Sequence, residues 1–213
     1  MSEIKFTLVD KCVYVCAKRN SGKTNLVKWF VSMERKLFSK VFLISPSESV
    51  SGEYKDIVDP QCILHEYSEE WVDGLIARLA QINRGIPKTS SHAKRVLLIM
   101  DDCMSEARWG DSPSLKKILS RGRHVFLSLV CLSQTINGFP PLVRSNSDFI
   151  LISQLNNQSL ETACEEFSNG VDRKEFKALY KANTKDYGFL LINQCQTKDG
   201  TLQQSYARLK APC

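Results

Sequence analysis

A short polar loop between two apolar segments constrains the fold of this chain more than any other feature. The loop contains Ser21-Gly22-Lys23-Thr24 and joins the apolar residues 12–16 to an amphipathic segment. A strand, then Gly-Lys-Thr, then a helix is the context in which backbone N–H groups and the positive helix end wrap nucleotide phosphates. Lys23 would add a positive charge, and the Thr24 hydroxyl could bind Mg²⁺. The predicted nucleotide-binding residues are Ala17, Lys18, Arg19, Asn20, Ser21, Gly22, Lys23, Thr24 and Asn25.

The loop departs at one position from the usual pattern, G-x-x-x-x-G-K-[ST]. Ala17 occupies the place of the first glycine. Alanine is tolerated there if the position has a negative φ angle and is strained if φ is positive. Asn20 stands where many such loops have glycine, and asparagine enters the left-handed region more readily than most residues. An ordinary strand-to-helix turn that happens to carry Gly-Lys-Thr is the alternative interpretation.

Length and composition indicate a globular protein that forms a single domain over residues 1–213. Hydrophobic residues make up 43% of the chain and charged residues 24%, which is ordinary for a soluble domain. No apolar run approaches the ~20 residues that span a bilayer, and the first residues show no signal-peptide pattern. We therefore expect no membrane anchor. The net charge of +6 is compatible with a polyanionic partner or with a solvated basic surface.

The eight cysteines bear on the cellular compartment. Most stand singly inside apolar segments, and no two form a C-x-x-C pair. This pattern predicts buried free thiols in a reducing compartment, and it argues against a disulfide framework or a zinc site.

The first half of the chain alternates between strand and helix patterns. Residues 4–10 and 61–65 suggest short strands, and residues 41–44 and 96–100 read as buried parallel strands. Apolar spacing predicts a helix over residues 24–37 with Leu26, Phe30, Met33 and Leu37 inside. A second helix is predicted over residues 68–84, with Trp71, Leu75, Leu79 and Ile82 inside. Residues 47–60 and 84–94 are predicted to be loops.

The second half continues the alternation. Ser112 and Pro113 predict a capped helix, and residues 125–132 and 149–152 predict strands. Two more helices are predicted, one around Leu160–Phe167 and one that begins with a capping box of Asp172 and Glu175. Residues 187–193 and 202–206 would form a hairpin around Asp199-Gly200. The alternation predicts an α/β domain with a mainly parallel central sheet flanked by helices, and the hairpin would extend one edge antiparallel.

Two carboxylates follow the most apolar predicted strand. Asp101 and Asp102 come directly after residues 96–100, so they would lie at the carboxyl end of a buried strand, near the phosphate loop. In this arrangement Asp101 would hold Mg²⁺, and Asp102 would orient or deprotonate the attacking water.

Two further candidates flank the next predicted strand. Gln134 follows it, where a neutral amide can sense the γ-phosphate or position water. Arg123 precedes it, within Arg121-Gly122-Arg123-His124. A permanent charge with several donors suits phosphate oxygens in the transition state. Because Arg123 would lie at the opposite end of the strand from Gln134, it could reach only a neighbouring subunit's site.

The order of these motifs resembles that of the viral genome-packaging ATPases of the FtsK–HerA superfamily, in particular their poxvirus-type branch. The resemblance covers roughly residues 10–153. The matching motifs are A-x-x-N-S-G-K-T, L-L-I-M-D-D, R-G-R-H, Gln134 and P-P-x-x-R-x-N-x-D from Pro140 to Asp148. Asp102 is a departure, since many relatives outside this branch have glutamate there.

The resemblance implies a RecA-like P-loop ATPase that uses ATP and Mg²⁺ to move double-stranded DNA into a capsid. It assigns Lys23 and Thr24 to phosphate and Mg²⁺, Asp101 to Mg²⁺, and Asp102 to catalysis. Gln134 resembles the sensor. Arg123 best matches an arginine finger that acts in trans, and Arg144 is a second candidate.

Several properties of the whole assembly also follow from the resemblance. The chain would form a ring, a hexamer or a pentamer, and would contact a capsid vertex. It would act in the cytoplasm or virus factory of an infected cell, and it could also associate with the virion. DNA contacts are expected in residues 84–95 or 104–114, whose positive and polar side chains could face backbone phosphates.

Two other functions use the same loop. A small-molecule kinase is one, although Asp101-Asp102 and Gln134 argue against it. The other is a regulator that binds nucleotide without hydrolysing it, for which Ala17 is the only hint. DNA-stimulated ATP hydrolysis distinguishes the first function from both.

Overall fold

The structure, a computed structural model, describes residues 6–103, 112–195 and 206–210. Eight strands form one sheet: β1 Cys12–Ala17, β2 Lys40–Ile44, β3 Ile63–Leu64, β4 Val96–Asp101, β5 Leu127–Ser133, β6 Phe149–Ser153, β7 Gly188–Asn193 and β8 Tyr206–Lys210. Their order across the sheet is β3-β2-β4-β5-β1-β6-β7-β8. The pairs from β3 to β6 are parallel, whereas β7 pairs antiparallel with both β6 and β8. The predicted α/β class, with antiparallel strands at one edge, is confirmed.

Seven helices connect the strands within the described ranges: α1 Lys23–Glu34, α2 Glu48–Ser51, α3 Glu69–Ile82, α4 Pro113–Arg121, α5 Pro141–Asn146, α6 Asn157–Phe167 and α7 Arg173–Asn183. Helix α1 packs on one face of the sheet. Helices α3 to α7 cover the other face. Because both faces are covered, β1, β4, β5 and β6 are buried along almost their whole length, as their continuous apolar sequences predict.

The side chains at three helix starts explain where those helices begin. Ser68 accepts a hydrogen bond from the Trp71 N–H, and Ser112 accepts one from the Leu115 N–H. Asp172 accepts from the N–H groups of Lys174 and Glu175. Each interaction satisfies a donor that the first turn leaves unpaired. The predicted caps at Ser112 and Asp172 are therefore confirmed.

The predicted inner face of α1 is wrong in part. Its buried residues are Leu26, Val27, Phe30 and Val31, whereas Met33 is 70% exposed and Leu37 is 53% exposed. The α-helix ends at Glu34, and residues 35–37 form a 3₁₀ turn, so the phase of the predicted stripe is lost before Leu37. In α3, Leu79 is buried as predicted, but Ile82 is 45% exposed at the helix end.

Other boundaries also differ from prediction. Residues 6–10 contain no strand, and the segment predicted as a loop over residues 47–60 includes α2. Residues 61–65 contain the two-residue strand β3 after a 3₁₀ turn. Strand β8 begins at Tyr206, where the predicted hairpin strand ends, and the predicted turn at Asp199-Gly200 lies outside the described residues.

The described cysteines are free thiols, as predicted: Cys12, Cys16, Cys62, Cys103, Cys131, Cys164 and Cys195. Among the described residues, no helix is long and apolar enough to cross a membrane.

Candidate active site

The loop between β1 and α1 has the geometry of a phosphate-binding turn. Its positive φ angles fall on Asn20 (59°) and Gly22 (84°), and not on Ala17. Ala17 is instead the last residue of β1, where a side chain brings no backbone strain. The replacement of the first glycine by Ala17 is therefore compatible with the loop, and Asn20 adopts the left-handed conformation expected of it.

The Lys23 side chain folds back under this loop. Its Nζ donates hydrogen bonds to the carbonyl oxygens of Ala17, at 2.6 Å, and Lys18, at 2.9 Å. Burial lowers the pKa of Lys23, while the nearby charges of Asp101 and Asp102 act to raise it. The ammonium group thus lies between the loop and the two carboxylates.

The predicted acidic pair lies at the carboxyl end of β4. Asp101 is the last residue of the strand, and Asp102 follows in a left-handed conformation with φ of 54°. Burial and the neighbouring charge of Asp102 together raise the pKa of Asp101 to about 6, although the hydrogen bond from Tyr54 opposes the rise. Asp101 therefore lies where additional positive charge would stabilise its ionised form.

Gln134 lies directly beside the acidic pair. Strand β5 runs between β1 and β4, so the residue after it lies between the loop and the acids. The Gln134 Nε2 donates to both carboxylate oxygens of Asp102, at 3.1 and 2.8 Å. This contact fixes the orientation of Asp102 and brings the predicted sensor against the predicted catalytic carboxylate.

These groups line one open cleft of about 710 Å³, a size within the range of ligand pockets. Its floor is the loop of residues 19–25, and its walls include Glu53, Asp101, Asp102 and Gln134. The exposed aromatic ring of Tyr187 lies at the rim. The Ser21 hydroxyl is buried without a hydrogen-bond partner among the described residues, as expected where a ligand completes the loop.

The donor set in this cleft fits Mg²⁺ as well as phosphate. Thr24 supplies a hydroxyl, and Asp101 and Asp102 supply carboxylates. Hydroxyl and carboxylate oxygens are the ligands that Mg²⁺ prefers in proteins. A divalent cation would also supply the positive charge that buried Asp101 lacks.

Tyr54 is a site residue that the sequence does not reveal. It is 1% exposed, and its hydroxyl donates to Asp101 Oδ2 at 2.8 Å. Burial and the negative charge of Asp101 raise the pKa of Tyr54 well above its usual value, and Thr24 lines the same cleft. Tyr54 lies in a polar segment without periodicity, far from both partners in sequence, so only the fold brings the three together.

Arg123 lies far from the cleft of its own subunit. It follows α4 in a 3₁₀ turn before β5 and is exposed. It lines a small depression with Lys11, Cys12 and Asp148 at the amino end of β1. The structure therefore places Arg123 at the edge of the sheet opposite Lys23, which is the placement that a residue acting on a neighbouring subunit requires.

Arg144 does not have such a position. It is 3% exposed, and it forms a paired contact with Glu166 through Nε and Nη2, each at 2.6 Å. Its Nη1 donates to the carbonyl oxygens of Ile136 and Phe139. All of these partners lie within the same subunit, so the observed contacts favour Arg123 over Arg144, and a finger role for Arg144 stays a prediction.

The predicted DNA-contacting segments are described only in part. In residues 84–95, Lys88 and Lys94 are exposed, but Arg95 is held inside the segment by hydrogen bonds to the carbonyl oxygens of Lys88 and Ser90. The Arg95 guanidinium also lies 5.4 Å from the centre of the Phe126 ring. Residues 104–111 of the other segment lie outside the described residues.

Comparisons with known proteins point to one family. A family model described as "Poxvirus A32 protein" matches residues 9–201. Protein 015R of Frog virus 3 is 24% identical over 87% of this chain, which spans 57% of that protein's length. Protein 075L of Invertebrate iridescent virus 6 is 26% identical over 94% of this chain and 77% of its own length.

A solved structure shares the fold. The genome packaging NTPase B204 from Sulfolobus turreted icosahedral virus 2, in complex with AMPPCP, superimposes with a TM-score of 0.65 and 18% identity. The match covers 96% of this chain and 99% of that one.

Proposed function

This chain belongs to the poxvirus A32 protein family, and from that premise we propose that it is an ATP-hydrolysing motor that moves double-stranded DNA into a viral capsid. The observation that carries the proposal is the meeting of Lys23, Asp101, Asp102 and Gln134 in one cleft at the carboxyl edge of the sheet. B204, a genome packaging NTPase whose structure holds a nucleotide analogue, supports the proposal through its shared fold.

The roles of the residues follow from their positions. The loop N–H groups of residues 20–24 and the Lys23 ammonium bind the β- and γ-phosphates of ATP. Thr24 and Asp101 would hold Mg²⁺, which would neutralise negative charge on the phosphates. Asp102, oriented by Gln134, positions and deprotonates the attacking water.

The site requires a second subunit for completion in this proposal. Within the described residues, no arginine of the same subunit other than the loop residue Arg19 lines the cleft. Arg123 lies at the opposite sheet edge, so a head-to-tail neighbour would bring its Arg123 to the γ-phosphate. Such contacts would join subunits into a ring of six or five, which would take DNA through its channel and dock on a capsid vertex in the infected cell.

The test is ATP hydrolysis with and without duplex DNA. We expect DNA to stimulate turnover, and we expect Lys23→Ala to abolish it, because the phosphates lose their charged ligand. Circular dichroism of Lys23→Ala checks that the variant is folded. Turnover near the wild-type level in folded Lys23→Ala would contradict the site assignment. Hydrolysis that DNA leaves unchanged, or phosphate transfer to a small molecule, would favour a kinase, and binding without turnover would favour a regulator.

A further inference from the structure

We propose that Tyr54 is a positioning residue for the Mg²⁺ site, with its hydroxyl orienting the predicted ligand Asp101. The proposal rests on the proposed function, since it concerns the same nucleotide cleft. It adds a residue from the segment between β2 and β3, which lies outside the phosphate loop and the acidic pair.

The hydroxyl contacts one of the predicted metal ligands directly. It donates to Asp101 Oδ2 at 2.8 Å, which leaves the lone pairs of Oδ1 for the metal or for its bound water. Thr24, the other predicted ligand, lines the same cleft as Tyr54 and Asp101. Hydrogen bonds of this kind orient metal ligands and tune their affinity.

Tyr54 is itself held in place by buried contacts. Glu48 is 2% exposed, and its Oε1 accepts from the Tyr54 N–H at 2.8 Å. The Glu48 Oε2 accepts from the Glu53 N–H and from the Ser51 hydroxyl, both at 3.0 Å. The buried carboxylate of Glu48 thus fixes the backbone from which Tyr54 projects.

A second set of contacts ties this segment to the helix that follows the phosphate loop. Lys28 of α1 donates to the Glu53 carbonyl oxygen at 2.7 Å and pairs with Asp56 at 2.8 Å. Glu48 and Lys28 therefore hold Tyr54 from both sides. A hydroxyl held on a rigid segment can keep Asp101 oriented before the metal arrives, which is the condition for pre-organised binding.

The variant that tests this proposal is Tyr54→Phe, which removes one oxygen and keeps the buried ring. Mn²⁺ replaces Mg²⁺ as the probe, and its binding to the complex with AMPPCP is measured by electron paramagnetic resonance. We expect about a 10-fold or larger decrease in Mn²⁺ affinity, the range seen when outer-shell partners of metal ligands are removed. AMPPCP affinity in the presence of EDTA should not change, because the Tyr54 hydroxyl donates to the predicted metal ligand Asp101 and not to the phosphate loop.

Tyr180→Phe is the matched control. Tyr180 is also buried, and its hydroxyl accepts a hydrogen bond from the Leu155 N–H at 2.6 Å, on α7. This variant removes a buried hydroxyl of similar kind, but its Mn²⁺ affinity should equal that of the wild type. A second test variant, Glu48→Gln, keeps the Tyr54 hydroxyl and weakens its support, since one amide oxygen replaces two carboxylate oxygens. It should lower Mn²⁺ affinity in the same direction.

Three results would overturn the inference. These are unchanged Mn²⁺ affinity in folded Tyr54→Phe, an equal decrease in Tyr180→Phe, or a decrease in metal-free AMPPCP binding as large as the decrease in Mn²⁺ binding. Failure of the proposed function gives a different result: DNA would leave ATP hydrolysis by the wild-type protein unchanged, whereas the effect of Tyr54→Phe on Mn²⁺ affinity would remain.

Discussion

The folded protein disfavours the ionised form of Asp101. Burial beside Asp102 raises its pKa to about 6, from an ordinary value of 3.8. Because the folded state holds the proton more tightly than the unfolded state, stability falls as the pH rises from about 4 through about 6. At neutral pH the metal-free protein therefore carries an unfavourable charge, which keeps a carboxylate ready for a cation.

Asp101→Asn should remove this unfavourable charge from the metal-free protein. One pKa unit corresponds to ~1.4 kcal/mol. We therefore expect the difference in unfolding free energy between Asp101→Asn and the wild type to increase by about 1 kcal/mol from pH 5 to pH 8, in favour of the variant. Urea unfolding of both proteins in EDTA, at both pH values, measures this difference in unfolding free energy. Asp186→Asn, an equal charge change at an exposed position, serves as the control. An advantage that is the same at both pH values would contradict the assignment of the raised pKa to Asp101.

Residue by residue, the sequence reveals those site members whose types and spacing carry chemistry. Lys23, Asp101, Asp102 and Gln134 are predictable because each lies at or after the carboxyl end of a strand, and the carboxyl ends of parallel strands share an edge. The contact of Tyr54 with Asp101 depends on how the segment between β2 and β3 folds over the loop. No local pattern encodes that fold, and likewise none encodes the pairing of Arg144 with Glu166.

At the scale of elements, α1 shows what periodicity can and cannot predict. The spacing of its apolar residues correctly predicts a helix. The buried face, however, is rotated from the predicted one toward Val27 and Val31. The apolar residues Met33 and Leu37 mislead because Met33 lies outside the buried stripe and Leu37 lies in the 3₁₀ turn after the helix. Hydrophobic type alone does not decide burial, since many apolar side chains remain on protein surfaces.

Two leucine substitutions test the buried face of α1. Leu26 is fully buried and Leu37 is 53% exposed. Leu26→Ala should lower the unfolding free energy by about 2 to 5 kcal/mol through the cavity that it leaves. Leu37→Ala should change it by less than about 0.5 kcal/mol. Urea titrations of both variants give these values, and equal decreases would instead support the face that periodicity predicts.

The alternation of strands and helices is enough to predict a parallel sheet, but not its order. That β5 lies between β1 and β4 is a property of the crossovers, which the sequence does not specify locally. This order is what brings Gln134 into contact with Asp102, so the most informative contact of the site is set by topology.

At the scale of the whole molecule, the family predicted from the motifs is confirmed by the match over residues 9–201. That residues 1–213 form a single domain stays a prediction, as do the ring, its stoichiometry and the capsid vertex. These properties depend on contacts between subunits or with other molecules, which strand and helix patterns within one chain do not encode.

Hydrolysis should require assembly, because Arg123 and Lys23 lie at opposite sheet edges. We expect Arg123→Ala to bind ATP normally and to hydrolyse it very slowly, since an arginine in trans contributes ~10³-fold or more in related reactions. Turnover per subunit should rise with protein concentration. Mixing Arg123→Ala with Lys23→Ala should restore part of the activity, because some interfaces then join an intact Lys23 to an intact Arg123. Full activity in a dilute monomer, or no recovery despite co-assembly, would argue for a mechanism within one subunit.

Duplex DNA should bind through backbone phosphates, with an affinity that falls steeply with salt. Arg84, Lys88 and Lys94 are exposed. Replacing them with neutral residues should make the slope of log affinity against log salt concentration less steep, by up to ~0.9 for each DNA phosphate contact that is lost. Arg95 is left in place because it braces the segment. The control neutralises Lys174, Lys181 and Lys185, also exposed, with the same change in net charge. Equal effects of the two triple variants would show that only overall charge matters.

Lys23 and Arg123 lie at opposite edges of the sheet. In a cell that makes both wild-type and mutant subunits, this separation would determine how strongly each mutant inhibits the mixed assembly. If the subunits form the proposed ring, a subunit that lacks only one of these residues would inactivate a single site: its own when Lys23 is missing, or its neighbour's when Arg123 is missing. A subunit that lacks both would inactivate its own site and that of its neighbour. Double-defect alleles would therefore interfere with a co-infecting wild-type virus more strongly than either single defect, and the two single defects would complement each other.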